Sequence, residues 1–550
     1  YAAEQAAIDA VSQANGITPG VTQFAFKDDN IAPDYTDQPR QAVNPFTPTG
    51  GLRPACVAYF QQRLAFANVA GRPDTIYLSE VADYKNFQRQ IPTSPDDSIV
   101  ATIAAPGLNA IRAMVPLRHL LIFTAGAEYL FGAEEGATTP DNVDAVPQSY
   151  RGSAPLQPLL VGGIVVFKDI GGHVREWVYD QNQNGYPSAD IGILASHLFD
   201  GHQIVAWAYA SSPDSIIWAV RDDGMLLSLT YIREHSIAGW ARHASQGKFR
   251  SVCAVRKAGD SGESLWCVVD RTIGGGTVKM IEAAAPRDDD TSPFSDASLA
   301  LSIPNSGTAT FIPDAGSPAS GWLKGATIRI LTPGFLWFFN LADARWIWLY
   351  TAAGERIHAR LTGISTGPGG IGFSNTGVFE LGRDVPIELR SVSITGWKVA
   401  RQTWTGLSHL ALATVAVRAD GVAHPNVVVA ADGTITLNHP AVEIVVGLPY
   451  ESTITTLSLA SPQQEIRAKQ KLITSVSAVV NATRGLFMGM KDGELDEVKM
   501  RDLGPPGDTT GIVSTSVSST WERNGQVVLK QTYPLPCQVL SIIPEVTVGG

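Results

Sequence analysis

The chain has 550 residues, 44% of them hydrophobic and 17% charged, with 52 glycines and 34 prolines. That balance excludes a disordered chain and fits several domains, or one large repeat built from strands and turns. A formal charge of −11 argues against gripping nucleic acid by phosphate neutralisation, yet allows a surface past which DNA slides without sticking.

No run approaches the roughly 18 consecutive apolar residues of a membrane-spanning helix. The cysteines Cys56, Cys253, Cys267 and Cys537 form no Cys-x-x-Cys pair. Cys253 and Cys267 could face each other on neighbouring strands, but reduced core thiols are the favoured reading. No secretory leader pattern follows Tyr1, and because the chain does not open on Met that says little about targeting.

In chain order, the Ala-rich residues 1–14 followed by Asn15-Gly16 and Pro19-Gly20 predict a short N-terminal helix with a glycine stop. Residues 27–54, rich in Asp, Pro and Gly, predict an extended arm. From Ala55 a repeat begins. Strand-like cores carry Phe66, Phe123, Phe167, Trp218 and Trp266, spaced 57, 44, 51 and 48 residues apart. A turn and a second apolar run follow each core, as at Thr124-Ala125-Gly126, Gly171-Gly172 and Gly274-Gly275-Gly276. The fullest phrase is residues 216–231, where two apolar runs flank Asp222-Asp223-Gly224. Gly224 there supplies the positive φ of a tight hairpin. A period of about 40–50 residues with several short strands per unit predicts β-propeller blades. Five units are visible and a later one would close the ring. A β-sandwich with long hairpins is the structural rival.

Residues 286–293, with Asp288-Asp289-Asp290, predict a polar linker, and 297–400 an inserted β domain. The aromatics of 335–339 and 345–350, including Trp346 and Trp348, read as a hairpin core in preference to an exposed contact tip. Strand–turn–strand phrasing returns around Asp420-Gly421 and Asp432-Gly433. Residues 464–482 predict a short basic turn entering a strand, and 485–503 a glycine-punctuated excursion of mixed charge. Two closing strands, over 526–531 and 539–548, flank Pro534-Leu535-Pro536. The fold class is therefore mainly β. It divides into a helix end and arm over 1–54, propeller-like blades over 55–283, an inserted β domain over 284–400, and a closing blade with a C-terminal β platform over 401–550.

Chemistry is sparse. The ten histidines, His119, His173, His197, His202, His235, His243, His358, His409, His424 and His439, contain no His-Glu-x-x-His pair. His197 and His202, five apart, suit one helical face poorly. There is no Gly-x-Ser-x-Gly elbow and no phosphate-binding Gly-x-x-x-x-Gly-Lys-Ser/Thr loop. Gly367-Pro368-Gly369-Gly370-Ile371-Gly372 matches a dinucleotide fingerprint, but strand and turn residues follow where a helix is required. Carboxylates recur in the predicted blade turns at Asp83, Asp169, Asp222, Asp223, Asp270 and Asp420. A glycosidase would need two of them to converge across a pocket, whereas turn-forming Asp bonding its own backbone is the simpler reading.

Several phrases, in this order, resemble the tail nozzle proteins of short-tailed bacteriophages (podoviruses), also called tail tubular protein B. They are Pro54-Ala55-Cys56-Val57-Ala58-Tyr59-Phe60-Gln61-Gln62-Arg63-Leu64-Ala65-Phe66-Ala67, then Arg72-Pro73-Asp74-Thr75-Ile76-Tyr77-Leu78-Ser79-Glu80 and Asp83-Tyr84-Lys85-Asn86-Phe87. Leu117-Arg118-His119-Leu120-Leu121-Ile122-Phe123-Thr124-Ala125-Gly126-Ala127-Glu128, Leu194-Ala195-Ser196-His197-Leu198-Phe199 and Trp218-Ala219-Val220-Arg221-Asp222-Asp223-Gly224 follow. Val446-Gly447-Leu448-Pro449-Tyr450 and Pro534-Leu535-Pro536 complete the set. The resemblance runs from about residue 33 to the end and is weakest over 284–400.

It implies a structural virion protein of the tail, assembled in the host cytoplasm. Such a protein forms a homo-oligomeric ring, a hexamer, below the portal and adaptor. Its channel would retain packaged double-stranded DNA and conduct it on ejection without sequence-specific binding. The implied partners are the adaptor, fibre or spike proteins, and transiently the host envelope. The family supplies no catalytic, cofactor-binding or metal residues, and the channel and gate residues stay unassigned. Two alternatives remain: a propeller glycosidase acting on host surface polysaccharide, and a carbohydrate- or membrane-binding adhesin using the 335–350 aromatics.

Overall fold

The computed structural model describes residues 43–47, 51–104, 109–181, 185–256, 262–286, 292–304, 310–313, 327–331, 346–351, 356–365, 376–381, 394–460, 466–499 and 508–549. The N-terminal helix, most of the 27–54 arm, Asp288-Asp289-Asp290, the aromatics of 335–339 and the loop from Gly367 to Gly372 lie outside them. The chain forms two compact units, Tyr1–Asp190 and Ile191–Gly550. The fold is mainly β and propeller-like. Helical structure among the described residues includes short 3₁₀ turns at Ile193–Leu198, Arg233–His235 and Ser408–Leu410. No described helix is long and apolar enough to cross a membrane.

The first unit contains three antiparallel meanders of four strands each. They comprise Pro54–Phe60, Arg63–Val69, Arg72–Leu78 and Ile99–Thr102, then Ile111–Pro116, Leu120–Thr124, Glu128–Gly132 and Asp144–Ser149, then Leu159–Val161, Ile164–Lys168, Val174–Trp177 and Ser188–Asp190. The first hairpin turns on Gln61 and Gln62, both at positive φ (44° and 60°), the geometry that matches strand twist in a two-residue loop. The middle sheet is covered on both faces, and Leu120–Thr124 is buried throughout. Alternation divides its side chains between two cores. Leu120 and Ile122 pack with Ala65, Ile76 and Leu78 of the first sheet, whereas Leu121 and Phe123 pack with Val165, Phe167 and Trp177 of the third. Phe123 meets the Trp177 ring edge-on at 5.0 Å, and the indole Nε1 donates to Tyr186 O at 2.7 Å. Arg63, 1% exposed, donates to the carbonyls of Ser79, Pro95, Asp96 and Asp97, which closes the loop above the first sheet.

The second unit continues with a four-stranded meander, Ile204–Ala210, Ile216–Arg221, Leu226–Ile232 and Ile237–His243, and a three-stranded one, Gly247–Arg256, Glu263–Ile273 and Gly276–Ala283. In all five meanders the aromatic of the repeat falls on the second strand: Phe66, Phe123, Phe167, Trp218 and Trp266. Its side chain does not always face a core, since Trp266 is 41% exposed. Gly224 sits at φ 93° in the hairpin turn, and a Cβ there would lie 3.0 Å from Lys248 Cα. The turn therefore requires glycine twice over, for its backbone and for its seat on the next sheet.

Asp296–Ser302 joins Glu443–Leu448, Thr414–Ala419 and Val422–Val428 in one sheet. A seven-stranded sheet runs Thr310–Pro313, Thr327–Leu331, Thr376–Leu381, Arg356–Ser365, Trp346–Thr351, Ile394–Trp404 and Ile435–Ala441. Trp346–Thr351 is an interior strand of it, and Trp348 is 6% exposed against Ala400 and Val442. Trp348 is core, with Trp346 and Tyr350 packed half-buried against the same cluster. The C-terminal region is a two-sheet sandwich. Lys471–Thr483 lies between Thr509–Ser516 and Gln538–Val548, and Ile473, Val476, Ala478 and Val480 meet Leu486, Met488, Val527 and Leu529 of the facing sheet. The expected excursion over 485–503 is in part a strand of that facing sheet, Leu486–Met490. Leu486, Met488 and Met490 are buried at period 2, and Gly489 between the last two is a poor strand former that weakens the pattern in the sequence.

Glu128, fully buried in the first unit, receives hydrogen bonds on Oε2 from Ser149 Oγ and the Arg151 amide. Among the described residues its Oε1 has no partner. Burial pushes its pKa above the ordinary 4.5, with Asp169 adding repulsion. The native state therefore holds this proton more tightly than the unfolded chain. The resulting stability is full below about 4.5 and is lost as pH rises through the raised value. Glu128→Gln should accordingly gain in Tm relative to the parent between pH 4.5 and pH 8, measured by thermal melts at both ends. A constant Tm difference would contradict this assignment.

Candidate functional site

The six predicted turn carboxylates are mostly held by local partners. In the first unit, exposed Asp83 accepts from the Lys85 amide at 3.2 Å. Buried Asp169 accepts from the His173 amide at 2.8 Å and from Arg175 Nε at 2.6 Å. In the second unit, Asp420 caps the Val442 and Glu443 amides at 3.2 and 3.0 Å. Asp270 lies on a strand, not in a turn, with Oδ2 2.8 Å from Arg250 Nε. The four cysteines are free thiols, and Cys253 stands opposite Trp266, not Cys267.

Asp222 and Asp223 do come together with a third group. His202 Nδ1 lies 3.1 Å from Asp222 Oδ1 and its Nε2 3.8 Å from Asp223 Oδ2. One ligand atom from each of the three lies within 4.8 Å of the others, close enough to share a cation. The chemistry of the neighbouring donor opposes that use. Arg221 binds both oxygens of Asp223, through Nε at 3.1 Å and through Nη2, and its Nη1 donates to Leu198 O at 2.7 Å. The hydrogen bonds from Arg221 to its carboxylate pull the Asp223 carboxyl down to about 2. A metal ion would have to displace a guanidinium already in place. The cluster is better described as an ion-pair knot tying the Asp-Asp-Gly turn to the 3₁₀ loop before it. Spacing in the sequence set His202 only against His197, an unsuitable pair, and could not show these partners, which stand on the next hairpin.

The second unit also holds a cleft of ≈ 2610 Å³, lined by Trp218, Phe249, Leu265, Met280, Ile281 and Tyr450 among others. Arg271, 1% exposed, lies in its wall. It donates to Glu282 through Nε at 2.8 Å and Nη2 at 2.6 Å, to Ser245 Oγ at 2.6 Å, and to Asp296 Oδ2 at 3.3 Å. Burial raises the Asp296 carboxyl above its usual range, against the pull of Arg271. A raised carboxyl near a second carboxylate is the arrangement that glycoside hydrolysis uses. Here both acids point at one guanidinium, so a sugar oxygen entering between them would have to displace it. The remaining glutamates of the cleft are also engaged, Glu263 with Ser211 and Glu451 with Lys530 at 2.8 Å.

Removing Arg271 leaves two carboxylates around an empty cation position. Arg271→Met should cost about 3–5 kcal/mol at pH 7, read by urea unfolding. Without its counter-charge Asp296 rises further, so protonation relieves the strain and the deficit should shrink at pH 5. Equal deficits at both pH values would exclude this account.

No family model matches the chain, and no curated protein matches it. Among solved structures, the crystal structure of Chaetomium thermophilum Raptor aligns at a TM-score of 0.28 and 10% identity, covering 61% of this chain and 28% of that one. The chain thus spans about a quarter of the length of that structure, and a likeness at this level identifies neither fold family nor function.

Proposed function

We propose that this chain is a structural virion protein, the protomer of a ring-shaped tail nozzle of a short-tailed bacteriophage. In this reading a homohexamer forms the DNA channel below the adaptor, retains packaged DNA, conducts it on ejection and supports fibres or spikes. The observation that carries it is the ordered series of family phrases from Pro54 to Pro536. Many of them fall on scaffold elements: the first hairpin, the doubly covered strand Leu120–Thr124, and the turn at Gly224. A net charge of −11 suits a conduit that must not hold DNA. Ile193 and Leu194, 69% and 96% exposed beside the Arg221 knot, and Leu540, 61% exposed, are apolar side chains that a neighbouring subunit would cover.

The glycosidase and adhesin readings have less behind them. The cleft carboxylates Glu282 and Asp296 are occupied by Arg271, and Trp348 is core.

The test is assembly. Sedimentation and electron imaging of the purified protein, alone and with its adaptor, should give a six-membered ring with a central channel, and antibodies should label the virion tail. A mass fixed at one 58.6 kDa chain in the presence of adaptor, with unlabelled virions, would reject the proposal.

A further inference from the structure

The five meanders follow one plan, and among the described residues the fifth has three strands. Where four strands are present, the outermost pairs with the third: Ile99–Thr102 on Arg72–Leu78, Asp144–Ser149 on Glu128–Gly132, Ser188–Asp190 on Val174–Trp177, and Ile237–His243 on Leu226–Ile232. Trp266 marks Glu263–Ile273 as the second strand of the fifth meander, so Gly276–Ala283 is its third, and no fourth strand pairs with it among the described residues.

The outer edge of this third strand is defined residue by residue. The Ala284 amide bonds Leu265 O at 2.8 Å. Antiparallel alternation then makes Glu282, Met280 and Val278 the residues bonded inward to Cys267, Val269 and Arg271. The amides and carbonyls of Thr277, Lys279, Ile281 and Ala283 consequently face outward. This edge opens on the cleft, whose wall includes Met280, Ile281, Glu282 and Ala283, and Ile281 is 74% exposed. The cleft carries five carboxylates against the arginines Arg242 and Arg271; Arg271 alone is shared by Glu282 and Asp296 and Lys530 pairs with Glu451, so the lining stays net negative.

We infer that Gly276–Ala283 is a β-augmentation site that takes an extended segment of another polypeptide, alternating apolar and basic residues, as the missing fourth strand. Main-chain bonds to Thr277, Lys279, Ile281 and Ala283 would provide affinity, and the charge imbalance of the cleft would select the partner. An eight-residue strand to match this one extends roughly 27 Å. The inference is independent of the nozzle reading, because it rests on the strand count, the edge geometry and the charge of the cleft.

The probe is a fluorescent peptide of four Val-Lys repeats, titrated by anisotropy against the whole protein. Saturable binding is expected, weaker by roughly tenfold for four Val-Glu repeats and weakened by salt. Lys279→Pro and Ile281→Pro each remove one outward amide while leaving the inward ladder bonded, and should reduce binding at least about tenfold. With the unaltered protein, N-methylation of the peptide along one edge should abolish binding and along the other preserve it. That arm decides the matter even if a proline variant fails to fold. No binding of the Val-Lys peptide, equal binding by folded proline variants, or equal loss with both methylation patterns would overturn the inference.

Discussion

A strand in the interior of a sheet bonds on both edges, and if both faces are covered its side chains must satisfy two cores at once. Leu120–Thr124 meets this demand, with even positions facing one neighbouring sheet and odd positions the other. A slip of one residue there would exchange the two sets and disrupt both cores together. The rest of the first unit is arranged around that strand. The sheets on either side have more freedom, with outward side chains such as Val57 and Tyr59 about 60% and 63% exposed.

This demand explains what could be read in advance. A second strand needs dense apolar and aromatic residues, so Phe66, Phe123, Phe167, Trp218 and Trp266 stood out and their spacing marked the repeat. Turn chemistry was equally readable where a glycine must adopt positive φ, as at Gly224 and Gly433. Strands with weaker patterns stayed hidden. Leu486–Met490 contains Gly489, a poor strand former, and Ser188–Asp190 has only three polar or small residues held by backbone bonding. The first hairpin turned on two glutamines instead of Asn-Gly, which no propensity argument favours.

The polar clusters were less legible for a different reason. His202 meets Asp222 across a hairpin, and Arg271 collects Ser245, Glu282 and Asp296 from segments 11 to 26 residues away. Long-range convergence of single side chains leaves no period in a sequence. In each case an arginine is the organiser, and its planar set of donors suits the binding of several acceptors at once. The same residue types that suggest acid–base chemistry in the sequence serve here as fasteners.

The Arg271 knot also has a consequence for how the protein responds to its surroundings. Counter-ions weaken charge pairs that they can surround, so an open contact such as Arg89–Asp141, 4.0 Å apart with both side chains more than half exposed, should fade in concentrated electrolyte. Arg271 is sealed from that atmosphere. The passage from the last meander into Asp296–Ser302 is therefore clamped by a charge that brine and dilute buffer leave nearly alike.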